Sequence, residues 1–264
     1  MVFQMYQYAV PSAISEKDLT KLTKKLSKEE KCKTTFLWVP YQTLECTTQT
    51  FEGKIEKTKT ALNIMFPDEI FDEKDIILLF RPNFLKIKKK KYESINLGNL
   101  TRIVPERIAD IRKIDYKRIT EKIVSLSKNV YENLEELKFI LINRQSIDTI
   151  QRLVLPSTDE LSRLMSSEER KVKDFIERKF ANAMALSTVI KMTLNIGALP
   201  EKITFKEKEV FYYPYLVIST KNDFFFIDLV KRGRLSKKFI EDPILNRIMR
   251  ENELAREIIL KTLT

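Results

Sequence analysis

Apolar residues recur along this chain at two periods, and the change from one to the other separates strands from helices. Met1–Val10 has room for one short strand. Leu19, Leu22 and Leu26 then fall at helical spacing behind the capping sequence Ser15-Glu-Lys-Asp18, predicting a short amphipathic helix to about Glu30. Thr34–Cys46 (TTFLWVPYQTLEC) is dense in aromatic and β-branched side chains and predicts a strand. Phe51–Lys54 supplies a glycine-containing turn and Ile55–Phe66 the return strand. Ile76–Phe80 and Phe84–Ile87 predict two further short strands on either side of Arg81-Pro82-Asn83.

Beyond Pro105 the spacing changes to threes and fours. Ile108, Ile111, Ile119, Ile123, Leu126, Val130, Leu134, Leu137 and Leu141 predict a long amphipathic helix over 106–142, with a break near Asp115. After a loop at Leu155-Pro156, Ser157 and Glu160 form a capping box, and Leu164, Phe175, Leu186, Ile190 and Leu194 trace a second helix over 158–196. Gly197 is the expected C′ residue, with Pro200 just beyond. Glu209–Thr220 and Asp223–Val230 predict a second hairpin around Lys221-Asn222. Ser236 and Asp242-Pro243 mark helix starts, and Ile244, Ile248, Met249, Ala255, Ile259 and Leu263 give one last helix its apolar face.

Together these elements specify an α+β fold. Two aromatic-rich β-hairpin segments flank a long central helical hairpin, and a helix closes the chain. A β-rich N-terminal part with one short helix would cover 1–100; the helical hairpin, second β-hairpin and C-terminal helix would cover 101–264. One continuous domain is the alternative division. An internal likeness crosses that division: FLWVPYQTLE (Phe36–Glu45) aligns without gaps on VFYYPYLVIS (Val210–Ser219), bringing Trp38 onto Tyr212, Pro40 onto Pro214 and Tyr41 onto Tyr215. It predicts that Tyr41 and Tyr215 hold matching places in two similar hairpins; the plainer account is two aromatic strands alike by chance.

Composition narrows the chemistry. The 264 residues include no histidine, which removes Ser-His-Asp and Cys-His catalysis and most zinc or non-haem iron sites. Cys32 and Cys46 are too few for a disulfide framework or a zinc site and read as small buried residues. Four glycines cannot furnish a Gly-rich phosphate cradle, and there is no P-loop motif. With no signal-peptide pattern and no apolar run of bilayer length, the expected location is the cytoplasm and no membrane partner is expected. The bias toward Ile, Lys and Glu is compatible with a thermophilic source or an AT-rich genome.

The formal charge is +11, and it is unevenly distributed. Lys86–Lys122 carries twelve basic and five acidic residues, and 231–250 carries seven against two. Concentrated charge of this kind is what a polyanion-binding surface requires; a solvated lysine-rich face is the plainer reading. The candidate nucleic-acid-binding residues are Lys86, Lys88, Lys89, Lys90, Lys91, Lys231, Arg232, Arg234, Lys237 and Lys238. The aromatic cluster Phe205, Phe211–Tyr213, Tyr215 and Phe224–Phe226 predicts core packing, with base stacking as the sharper alternative. Glu45 and Glu52-Gly-Lys54 faintly resemble the acidic and Glu-x-Lys elements of metal-dependent nucleases, but the upstream Asp is missing. The expectation is therefore a non-enzymatic nucleic-acid-binding or nucleoprotein-accessory protein without catalytic residues, metal or cofactor. A protein–protein adaptor and a metal-dependent nuclease are the alternatives.

Overall fold

A computed structural model describes residues 7–9, 21, 24, 33–82, 84, 93–95, 114–154, 167–219, 224–232 and 239–263. Among them seven strands form one sheet: β1 (Gln7–Ala9), β2 (Lys33–Thr50), β3 (Ile55–Asn63), β4 (Glu93–Ile95), β5 (Pro200–Ser219), β6 (Phe224–Arg232) and β7 (Phe239–Glu241). The order is β3-β2-β5-β1-β4, with β6 also beside β5 and β7 beside β6. All pairings are antiparallel except β1 with β5. The helices are α1 (Tyr116–Val154), α2 (Ser167–Leu194), α3 (Pro243–Glu251) and α4 (Glu253–Leu263). The α+β architecture read from the periodicity is thus present, with the two hairpins joined in one sheet. Lys21 and Lys24 are helical, within the span predicted for the first helix.

The internal likeness has a structural counterpart. β2 and β5 pair with each other so that Val39 lies opposite Tyr213, the residue it aligns with. Trp38 faces Pro214 and Pro40 faces Tyr212, so the register is symmetric about that central pair. Tyr41 is the last β2 residue paired to β3, opposite Asn63, and Tyr215 is the last β5 residue paired to β6, opposite Asp228. The two tyrosines therefore hold matching places. Each proline sits one residue beyond its hairpin's last pair, where the ladder to β3 or β6 stops. Pro40 still accepts from Ile64 N at 3.1 Å.

One face of the sheet carries the main core. Leu37, Val39 and Tyr41 of β2 and Phe211, Tyr213 and Tyr215 of β5 pack with Ile119, Ile123, Leu126 and Val130 of α1, Ile190 and Leu194 of α2, and Leu245, Ile248 and Ala255 of the C-terminal helices. Steps of three and four along α1 place those four residues on one stripe. Leu216, Ile218, Ile227 and Leu229 make a smaller cluster on the opposite face, with Phe36 and Phe225 against it. Among the side chains described, the last buried one of α1 is Leu137 and the first buried one of α2 is Ser187. The two helices touch each other, and α1 continues about 26 Å past Leu137 at 1.5 Å per residue. No helix among the described residues is long and apolar enough to cross a membrane.

Several predicted details differ. Ile76–Leu79 is a 3-10 turn, not a strand, and Phe80 makes only an isolated bridge to Leu62. The Asp72 carboxylate accepts from Lys74 N and Asp75 N and bends the chain just before it, so Ile76, Ile77 and Leu79 are buried together rather than alternating. Phe84 is helical, and 85–87 lie outside the described residues. The long helix starts at Tyr116 and runs twelve residues beyond its predicted end to Val154. The C′ position of α2 belongs to Asn195, at φ 58°, in a Schellman arrangement: Ile196 N donates to Lys191 O and Asn195 N to Met192 O. Gly197 instead donates its N–H to the Glu56 carboxylate at 2.8 Å, and a Cβ there would come within 3.0 Å of Glu56. β5 begins nine residues earlier than predicted. The single last helix is two, because Asn252 ends α3 and its side chain accepts from Ala255 N at the start of α4.

Candidate nucleic-acid interface

Of the basic residues singled out, Lys231 and Arg232 end β6, and Arg232 pairs with Phe239 of β7. Lys86, Lys88, Lys89, Lys90, Lys91, Arg234, Lys237 and Lys238 lie outside the described residues. The elements that bound the two segments are nevertheless neighbours. Phe84, just before Lys86, stacks on Tyr213 with ring centroids 4.1 Å apart and meets Tyr41 edge-on at 4.9 Å. The Tyr213 hydroxyl donates to Asp228, three residues before Lys231, at 2.8 Å. β4, just after Lys91, is carried by β1 beside β5 at Phe211 and Tyr212, and β6 leaves β5 at Tyr215. The described elements that flank the two basic segments therefore meet one edge of β5, between Phe211 and Tyr215.

A buried polar network holds this edge against α3. The side chain of Arg81 is only 7% exposed, and its Nη2 lies 3.3 Å from Asp242 Oδ1. Arg81 Nη1 donates to Leu78 O at 2.8 Å. Asp242 caps α3 by accepting from Ile244 N and Leu245 N, and its other oxygen accepts from the Tyr215 hydroxyl at 2.8 Å. Burial alone would lower the Arg81 pKa, but Tyr41, Asp242 and Tyr215 around it raise it and keep the guanidinium charged. Burial likewise lifts Tyr41, Tyr213 and Tyr215 well above the usual phenol range, with Asp242 or Asp228 adding to it. Beside them Asn246 accepts from Phe226 N and donates to Glu241. The periodicity did not reveal this network. Its one signal was an arginine directly following the apolar run Ile76–Phe80, which no stable core leaves without a partner.

Other candidate chemistry is placed as follows. Phe211, Tyr212, Tyr213 and Tyr215 are at most 1% exposed, so none offers a ring for a base to stack on. The Cys46 thiol is buried and pushed up to about 11, which makes it an inert core residue. Glu45 contacts Lys208 at 3.0 Å and Lys59 at 3.6 Å; the Lys208 hydrogen bond holds its carboxyl below the usual range. Glu52 is exposed in the β2–β3 turn. Among the described residues no three Asp, Glu, Cys or His side chains are grouped to hold a metal ion. No family model matches the chain, and no curated protein or solved structure matches it either.

Proposed function

We propose that this is a non-enzymatic nucleic-acid-binding protein that holds the sugar–phosphate backbone with Lys86, Lys88–Lys91, Lys231, Arg232, Arg234, Lys237 and Lys238. The observation that supports this reading is that described elements flanking both basic segments meet one edge of β5, in a chain of net charge +11. Two separated runs of like charge repel, and a polyanion bound by both turns that repulsion into binding free energy. Lysine is a point charge suited to phosphate, so binding tolerates many sequences. The test is a polynucleotide titration across a salt series. Affinity falls steeply with salt, and changing Lys88–Lys91 to Gln lowers the log–log slope by roughly 3 to 4, at about 0.9 per phosphate. A parent protein that binds neither DNA nor RNA at low salt overturns the proposal.

One observation favours the adaptor reading instead. α1 and α2 expose Phe139 (67%) and Phe175 (57%). Stable co-purification with one protein, unaffected by nuclease treatment, would support that reading over the first.

A further inference from the structure

β3 and the first half of β5 sort their charges by sign. In Ile55-Glu-Lys-Thr-Lys-Thr60, Glu56 turns toward the end of α2, where it accepts from Gly197 N, and Thr58 and Thr60 follow it, donating to Leu194 O and Thr193 O. Lys57 and Lys59 therefore project from the other face. In β5, Ile203 is buried in the main core and Phe205 packs against it, so Lys202, Thr204 and Lys206 project from that same other face. Lys208 joins them through its contact with Glu45.

Across the strands these residues line up in rows: Lys59-Glu45-Lys206, Lys57-Thr47-Thr204 and Ile55-Gln49-Lys202. Rows are about 6.8 Å apart and strands about 4.8 Å apart. Among the described residues five lysines surround one carboxylate on this face, which Lys59 and Lys208 already occupy. Lys57, Lys202 and Lys206 are exposed and have no acidic partner among the described residues. Lysines also guard strand edges against pairing with other chains. A guard, however, works with either sign of charge, and it does not require the acids on one face and the lysines on the other.

We infer that this face is a further nucleic-acid contact, and that its occupant is a duplex. The inference rests on the nucleic-acid reading above. No aromatic side chain stands in the three rows, so single-stranded bases would have nothing to stack on. A duplex presents its phosphates outward and needs only the cations.

The experiment compares the parent, K57Q/K202Q/K206Q, the matching triple Arg variant and the Lys88–Lys91 Gln variant. Each is titrated by fluorescence anisotropy with a duplex, a single strand of equal length and a poly-glutamate peptide, at several salt concentrations. The triple Gln variant should keep the parent's urea midpoint, lose about tenfold or more in duplex affinity at low salt, and lower the salt slope by roughly 2 to 3, at about 0.9 per phosphate. The Arg variant should bind duplex like the parent. Unchanged duplex affinity and slope in the triple Gln variant, while the Lys88–Lys91 variant weakens, overturns this inference and leaves the proposed function standing. The inference also fails if the Arg variant weakens as much as the Gln variant, if the single strand binds more than tenfold tighter than the duplex, or if poly-glutamate binds as well. A parent that binds no nucleic acid removes both readings.

Discussion

Asp242→Asn is the most informative single change in the core. The carboxylate serves three partners: the α3 backbone through Ile244 N and Leu245 N, the Tyr215 hydroxyl, and Arg81. Asparagine keeps an oxygen for the cap, so the capping loss stays at the low end of the usual range of about 0.5–2 kcal/mol. The greater loss comes from Arg81, which would remain buried with only neutral acceptors such as Leu78 O. Leaving one member of a buried pair uncompensated costs about 3–5 kcal/mol. A loss of about 4 kcal/mol lowers the midpoint temperature of a chain this long by roughly 7 °C. Arg81→Met should cost less, because Asp242 keeps its two backbone donors and Tyr215. The double variant Arg81→Met/Asp242→Asn removes both charges and should recover at least about 1 kcal/mol relative to the sum of the single losses. Urea unfolding followed by circular dichroism measures all three. Single losses that simply add, within about 0.5 kcal/mol, would refute the view that Arg81 and Asp242 depend on each other.

The same core makes a spectroscopic prediction. Tyr41, Tyr116, Tyr213 and Tyr215 have folded-state pKa values raised chiefly by burial. Their contribution to stability is thus complete below about pH 10, the unfolded phenol value, and is lost as the pH rises above it. In an alkaline titration followed by tyrosinate absorbance, these four of the nine tyrosines should ionise only together with unfolding; gradual ionisation of all nine in a folded protein would contradict the packing. Leu126→Ala should cost about 2–5 kcal/mol by urea unfolding, whereas Leu186→Ala should cost clearly less, because Leu126 is 4% exposed and Leu186 only borders the core.

Much of the architecture was legible because it depends on local period. The apolar steps through Ile119, Ile123, Leu126 and Val130 could only be one helix face, and the aromatic runs around Tyr41 and Tyr215 could only be strands. Three things escaped that reading. The stretch from Pro200 to Lys208 is a strand despite its charge, because Ile203 and Phe205 alone bury its inner side. The C-terminal end of α2 is set by a left-handed Asn195, a role that glycine more often fills. Arg81 and Asp242 are 161 residues apart, and no local pattern joins two charges over that distance. The candidate interface was legible as charge density alone. The alternation of Lys57 and Lys59 with Glu56, Thr58 and Thr60 along β3 was visible, but which side of the strand lies open depends on where α2 packs.

The central β2–β5 ladder also sets the order in which the chain must organise itself. Each hairpin closes over a few residues, yet the pairs that join them run from Lys33 with Ser219 to Thr50 with Pro200, separations of 186 to 150 positions. Loop-closure entropy must be met before that ladder gains anything, so its zipping belongs to the slow, late part of folding. Until then each hairpin exposes an unpaired strand whose best partner is the other hairpin's strand. A second chain supplies that partner as readily as the first. Exchange of hairpins between copies is thus the characteristic misassembly of this topology, and it becomes more frequent as protein concentration rises.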